Sequence, residues 1–251
     1  MSKLLEDKVC IITGAGKGIG RSIAKLFYDN GARLALITRS QDDIDSLKDE
    51  FSCINNEPLI YYGDVTNQDV VIDFVSSVVN KFGRIDVLVN NAGVRFRKLF
   101  LETTFEDFNY VINANLYSVF FVCQSVIPYM VENNKGKIIN MSSVAGTLGL
   151  AELSSYVTSK ASIIGLTKSL AIEFAENNIQ INSLAPGSCK TSYFDDFKRK
   201  SKLYNFTIDR TPMKRWGEGK EVANSCLFLA SNMSDFITGE VINVDGGWSA
   251  W

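Results

Sequence analysis

Short apolar runs alternate with longer amphipathic ones along the whole chain, and this rhythm restricts the possible fold more than any other feature. The runs that read as strands are Val9–Thr13, Leu34–Thr38, Leu59–Gly63, Val87–Asn90, Lys137–Met141, Gln180–Leu184 and Val241–Val244. Several are nearly continuous in Val, Ile and Leu, as expected of strands covered on both faces. Between them, Ile19–Asn30, Asp42–Phe51, Asp69–Phe82, Phe105–Val131, Ser155–Asn177 and Lys220–Ser231 carry helical patterning. Asn30-Gly31 supplies a helix stop, and Thr66 is placed to cap the third helix. Alternation of this kind over 251 residues predicts an α/β fold in a single domain, 1–251. Its sheet is a doubly wound, parallel, seven-stranded one with helices on both faces and right-handed crossovers. Only Ser188–Trp216 breaks the rhythm. It follows the carboxyl end of a strand, where such sheets bind ligands, and is expected to form a substrate lid over 188–216.

The first strand runs directly into Thr13-Gly14-Ala15-Gly16-Lys17-Gly18-Ile19-Gly20, which opens the first helix. Glycines let the backbone turn sharply and approach a pyrophosphate, while the helix start offers unpaired N–H groups and positive potential. This strand–turn–helix unit makes the fold Rossmann-type. A Walker A loop is excluded, because Lys17 precedes Gly18 and no Gly-Lys-Ser/Thr ends the turn. The end of the second strand then separates the two nicotinamide dinucleotides. An NAD site carries an acid there for the ribose 2′-hydroxyl, but this chain reads Ile37-Thr38-Arg39-Ser40 with no acid before Asp42. Arg39 is suited to grip a 2′-phosphate by charge-assisted hydrogen bonds, with Lys17 within reach of the same group. The expected cofactor is NADP(H).

The chain contains no histidine. A Ser-His-Asp triad and any histidine-ligated metal are therefore impossible, and no metal site is expected. Proton transfer near neutral pH needs another group. Tyr156 and Lys160 are four residues apart on a predicted helix, so they share a face, and Ser143 lies thirteen residues before the tyrosine. An ammonium beside a phenol favours the phenolate and is expected to draw its pKa down. YxxxK is common, and alone it is also the pattern of a surface tyrosine beside a solvated lysine.

Composition removes other function classes. A net charge of −2 leaves no basic footprint for nucleic acid, and the Lys198-Arg199-Lys200 run with Lys202 is short enough to be a solvated helix face. The first residues lead into a strand without a signal-peptide apolar stretch, and no apolar run is expected to reach the roughly 20 residues that span a bilayer. Cys10, Cys53, Cys123, Cys189 and Cys226 are scattered, odd in number and without CxxC, which fits reduced thiols in a cytoplasmic protein.

Taken together, these residues resemble the short-chain dehydrogenase/reductases. The likeness covers nearly the whole chain: Thr13–Gly20, Asp64-Val65, Asn90-Asn91-Ala92-Gly93, Asn115, Ser143, Tyr156 to Lys160, Pro186-Gly187 with Thr191, and Asp245-Gly246-Gly247, all in order. The resemblance implies Tyr156 as general acid/base for a carbonyl and secondary alcohol. Lys160 would tune it and hold the nicotinamide ribose, and Ser143, rather than its neighbour Ser142, would polarise the carbonyl. Asn115 would anchor a water in a proton relay. For the cofactor it implies contacts from Gly14, Gly18, Ile19 and Gly20, from Asp64 and Val65 at the adenine, and from Asn91, Ala92 and Gly93 beside the adenosine. Pro186, Gly187 and Thr191 would meet the nicotinamide end. The usual assembly in that family is a homotetramer, with Phe105–Val131 and Ser155–Asn177 at one interface and Trp248 and Trp251 possible contributors to another or else tucked onto their own subunit.

The substrate is less determined. Arg95 and Arg97 follow Asn90–Gly93 near the expected pocket mouth, where they would hold an anion or simply be solvated. The lid's Tyr193, Phe194, Phe197, Tyr204 and Phe206 read more as packing than as recognition. Much of the chain resembles 3-oxoacyl-(acyl carrier protein) reductases, which dock an acidic carrier with arginines. Here Ile172 stands where one such arginine is expected, and Val131-Glu132-Asn133-Asn134-Lys135 offers an acid and one base. Arg210 to Gly217 and Val244 to Trp248 resemble gluconate 5-dehydrogenase and related sugar-acid or polyol enzymes. The expectation is a small polar keto compound, with the carrier-protein substrate as alternative and a non-catalytic NADP sensor as a third reading.

Overall fold

Val9–Thr13 (β1) is buried at all five positions, which VCIIT tolerates because its backbone is paired on both sides and no side chain needs water. In this computed structural model, which describes residues 3–52, 56–191 and 194–250, β1 lies at the centre of the sheet. After it come α1 (Gly18–Asp29), β2 (Arg33–Thr38), α2 (Gln41–Glu50), β3 (Leu59–Tyr62), α3 (Gln68–Phe82) and β4 (Val87–Asn90). The second half comprises α4 (Phe105–Ile112), α5 (Ser118–Glu132), β5 (Gly136–Met141), α6 (Ser154–Glu173) and β6 (Ile179–Pro186). It continues with β7 (Cys189–Lys190), α7 (Phe194–Arg199), α8 (Ser201–Arg210), β8 (Gly217–Glu218), α9 (Gly219–Ala230) and β9 (Val241–Val244).

Among the described residues, seven strands pair in the order β3-β2-β1-β4-β5-β6-β9, every neighbour parallel. The order in which successive strands are added reverses between β1 and β4, which opens a crevice at their carboxyl ends. The strands divide their side chains by the two-residue period. Cys10, Ile12, Leu34 and Leu36 join Phe27 of α1 and Leu229 of α9 on one face. Val9, Ile11, Ala35 and Ile37 join Phe74 of α3, Val122 of α5 and Ile163 of α6 on the other. Phe27 and Phe74 are both fully buried, so truncating either to Ala would cost about 3–5 kcal/mol.

Five local expectations are corrected. Asn67, not Thr66, caps α3, its Oδ1 accepting from Asp69 N at 2.9 Å; Thr66 N is already committed to Asp64 Oδ1 at 3.0 Å. The helix expected over Phe105–Val131 is interrupted by a π turn at Asn113–Tyr117. That run, Phe105–Glu132, is 28 residues with a window of mean hydropathy 1.4, so by length and composition it does reach a bilayer span; 56 % of the window is buried inside the fold. The α-helix expected to reach Asn177 stops at Glu173 and tightens to a 3-10 turn before Asn178, which takes a left-handed φ of 54°. In the lid, where no strand was expected, Cys189 and Lys190 pair with Gly217 and Glu218 in a two-residue parallel ladder.

Candidate active site

The crevice is built first from hydrogen bonds that join the glycine turn to the loop after β4. The Thr13 hydroxyl, at the end of β1, accepts from both Asn91 N and Ala92 N at 3.0 Å. Asn91 Nδ2 donates to Thr13 O at 3.1 Å and Gly14 O at 3.0 Å. These contacts demand glycine: a Cβ on Gly20 would sit 2.3 Å from Gly14 O, and one on Gly14, whose φ is +63°, would sit 2.9 Å from Ala92 Cα. The side-chain nitrogen of Asn91 thus holds the turn, and Thr13 is a partner the sequence reading missed. Nothing distinguishes its hydroxyl from any strand-end threonine until the β4 loop is in place.

The start of α1 fits an anion. Its N-cap residue, Lys17, makes no side-chain cap and no acid lies in the first turn. By contrast Ser40 caps α2, Asn67 caps α3 and Thr104 caps α4. No side chain caps the leading N–H groups of α1, as a pyrophosphate site requires. Gly18 faces Thr191 across the crevice, where a Cβ on the glycine would meet the threonine side chain at 3.4 Å. The pyrophosphate turn and the expected nicotinamide end of the track are therefore neighbours, and the residues present fit such a group.

At the end of β2, Arg39 ion-pairs with Asp64 at 3.2 Å and also bonds Tyr110. Both partners hold the guanidinium firmly charged. Burial acts to raise the Asp64 pKa, but hydrogen bonds from Thr66 and the charge of Arg39 outweigh it and hold the carboxyl below its usual range. Lys17 is exposed at the turn. One acid was overlooked. Asp43, in the first turn of α2, folds back so that its carboxylate accepts from Thr38 Oγ1 at 3.3 Å and closes against Gly16, where a Cβ would meet it at 2.2 Å. Its distance from the strand end hid it, because only the helix start returns it to the turn.

Tyr156, Ser143 and Lys160 converge beside the same crevice. Ser143 follows β5 and caps a short 3-10 turn, its hydroxyl accepting from Ala145 N at 3.2 Å. It also hydrogen-bonds the Tyr156 phenol. Lys160 Nζ lies 5.8 Å from the centre of the Tyr156 ring and donates to Met141 O at 2.7 Å. Burial raises the Tyr156 pKa, while the Ser143 hydrogen bond and the charge of Arg95 act to lower it. The phenol's pKa is thus raised overall, against the lowering expected, and Arg95 joins Lys160 as a cation beside its ring. Burial brings Lys160 itself down to about 8. Asn115 sits in the π turn, its Oδ1 accepting from Val94 N at 2.7 Å and its Nδ2 donating to Val94 O and Ser159 Oγ at 3.0 and 2.9 Å. It pins the loop after β4 to α6, through a Ser159 that the sequence reading did not single out.

The two arginines after β4 have different fates. Arg97 is bridged to Glu152 at 2.8 Å. Arg95 has its guanidinium carbon 6.0 Å from the Tyr156 ring and 5.9 Å from that of Phe197 in the lid. The lid aromatics pack as expected: Phe194, Phe197 and Tyr204 surround Trp216 at 5.1, 4.9 and 5.8 Å. Trp248 tucks back onto its own chain, 4 % exposed against Phe206, so it is not available to a subunit interface; Tyr193, Cys53 and Trp251 lie outside the described residues. Among the described residues no group of acids and cysteines is gathered to hold a metal.

Comparison with known proteins places this geometry. Residues 14–249 match the family model described as enoyl-(acyl carrier protein) reductase. The chain is 42 % identical to the 3-oxoacyl-(acyl-carrier-protein) reductase of Thermotoga maritima over 97 % of its own length and 98 % of that protein. It is 35 % identical to the gluconate 5-dehydrogenase of Gluconobacter oxydans, over 97 % and 95 % of the two chains. Among solved structures, ElxO with NADP bound superposes with a TM-score of 0.92 at 35 % identity, covering 98 % of this chain and 100 % of that one.

Proposed function

Because the chain belongs to the short-chain dehydrogenase/reductase family of oxidoreductases acting on carbonyl and alcohol groups, we propose that it reduces a ketone to a secondary alcohol with NADPH. We further propose that the ketone is small and polar, such as a sugar acid or polyol precursor. The observation that carries the reading is the meeting of the Tyr156 phenol, the Ser143 hydroxyl and the Lys160 ammonium at the crevice of the glycine turn. NADPH, when bound, supplies the hydride that the substrate carbon receives. Ser143 donates a hydrogen bond to the carbonyl oxygen, and Tyr156 gives that oxygen its proton. Burial keeps the phenol protonated at neutral pH, which suits a proton donor. Lys160, titrating near 8, is matched to return a proton to the phenolate. Gly14, Gly18, Ile19 and Gly20 would hold the pyrophosphate, with Lys17 and Arg39 on the 2′-phosphate and Asp64 and Val65 at the adenine. Asn91, Ala92, Gly93, Pro186, Gly187 and Thr191 would line the remaining length.

The small polar substrate is favoured by Ile172, which stands 81 % exposed on α6 where a carrier-protein site would place a cation. One feature favours the acyl-thioester alternative: a groove of about 390 Å³ between the lid and the loop after β5, with Leu148, Leu150, Leu203, Phe206 and Trp248 along it. NADPH oxidation measured with acetoacetyl thioester against keto-sugars and keto acids separates them. Preferential reduction of the thioester would overturn the small-substrate reading, and cofactor binding with no ketone consumed would return the chain to the sensor class. We place the protein in the cytoplasm as a homotetramer, with exposed Phe105, Tyr117, Phe120 and Ile172 on the helices that would pair. Light scattering that gives a monomer at micromolar concentration would remove the assembly.

A further inference from the structure

We infer that Arg95 is the seat for a substrate carboxylate, so that the ketone reduced at Tyr156 is a short keto acid and not a neutral polyol precursor or a thioester. This rests on the ketone-reductase reading and narrows it. Arg95 leaves the loop after β4 and reaches between the catalytic tyrosine on α6 and Phe197 on lid helix α7, within about 6 Å of both rings. At that range a guanidinium is attracted by the π face of each ring. These ring contacts engage the charge and leave the N–H donors for an acceptor. Among the described residues no carboxylate or carbonyl is hydrogen-bonded to the Arg95 guanidinium, whereas Arg97, two residues on, is paired with Glu152 at 2.8 Å.

The environment favours an incoming anion. Arg95 is exposed to solvent, yet partial desolvation lowers its pKa, with Tyr156 acting to raise it and the like charge of Arg97 to lower it. A carboxylate relieves both costs at once, and a bidentate pair with a guanidinium is among the stronger hydrogen-bonded contacts available. Geometry also sets the size of the ligand. The carbonyl oxygen must meet Ser143 and Tyr156, and the guanidinium lies beside the same tyrosine ring, so carbonyl and carboxylate are a few carbons apart.

The test compares acids with neutral partners of the same skeleton. NADPH oxidation is followed with a panel of five- and six-carbon keto acids, each paired with the ketose bearing CH2OH in place of the carboxylate, beginning with 5-keto-D-gluconate and L-sorbose. Wild-type protein is expected to favour one or more acids over their partners by about 10- to 150-fold in kcat/KM, the scale of hydrogen bonds to a charged group. Arg95→Met, which keeps bulk between the rings, is expected to bring that ratio near one mainly through KM, and Arg97→Gln to keep it. Calorimetric titration of the preferred acid's alcohol product should show the same loss for Arg95→Met. A wild-type ratio near one, a ratio unchanged in Arg95→Met, or a ratio abolished by Arg97→Gln would each overturn the assignment while the reductase reading stands. If acetoacetyl thioester outpaces every acid, or no ketone is reduced, the assignment falls together with the reading beneath it. Equal losses on acids and neutral partners in Arg95→Met would make the residue a support for Tyr156 and refute it as a carboxylate seat.

Discussion

Lys160 donates from Nζ to the main-chain oxygen of Met141 at 2.7 Å, tying the middle of α6 to the end of the strand that leads to Ser143. The ammonium is buried, and burial lowers its pKa to about 8. An unfolded lysine titrates near 10.5. Between those values the unfolded chain binds a proton that the folded one has lost, so this residue's contribution to stability rises with pH across that window. The buried thiols and Tyr156 act oppositely, since their folded pKa values are raised. The contribution of Lys160 is therefore read as a difference. Urea midpoints of wild type and Lys160→Met should diverge in favour of wild type by up to about 1.4 kcal/mol per pH unit from pH 8 to 10. Parallel curves would mean that Lys160 is solvated as an ordinary lysine.

Removing the phenolic oxygen tests the proton donor apart from the binding site. Tyr156→Phe keeps the ring that Arg95 stacks on but loses the hydrogen bond to Ser143. Turnover should fall by at least ~100-fold, the scale of general acid catalysis, with NADPH affinity retained. Near-normal turnover would remove Tyr156 from the chemistry.

The sheet was legible because its signal is local: apolar runs mark strands, fully buried in Val9–Thr13 and Val87–Asn90 and half-exposed at the edge in Val241–Val244, and all three end where the pattern ends. The glycine turn and the Ser143, Tyr156 and Lys160 spacing were legible for the same reason. What was missed depends on distant chain. Thr13 acquires two donors seventy-eight and seventy-nine residues away. Asp43 reaches Gly16 only because α2 starts where it does. The π turn at Asn115 is set by bonds to Val94 and Ser159, which local helix propensity in NANL does not encode. Helix spacing pointed to Lys160 as the cation beside Tyr156, and the tertiary fold adds a second, Arg95, from another loop.

Arg39 is the residue proposed to separate the two dinucleotides, and its present partners make the test sharp. Its ion pair with Asp64 is half-exposed at both ends, and such pairs are worth little in water. A 2′-phosphate would therefore draw the guanidinium away at small cost and gain charge-assisted bonds. Arg39→Ala should weaken NADPH binding by about 10- to 150-fold and leave NADH within a few-fold. Equal losses for both cofactors would assign Arg39 to the structure of the β2 end, and a wild-type preference for NADH would shift attention to the Asp43 carboxylate.

Gly20 is the position where one added methyl group tests the whole crevice. A Cβ there would stand 2.3 Å from Gly14 O and 2.5 Å from Asn91 Nδ2. Neither atom can retreat freely, because Asn91 is held by Thr13 O and the Gly14 amide is bonded to Ile37 O at 2.9 Å. Gly20→Ala must push α1 away from the turn, at a cost of about 1–3 kcal/mol in stability. Because the same shift displaces the uncapped N–H groups at the start of α1, affinity for NADPH and NADH should fall together, unlike the selective loss expected for Arg39→Ala. Thermal unfolding and calorimetric titration with each cofactor provide the check. An alanine variant that binds both as wild type does would show that the glycine turn is not where the dinucleotide lies.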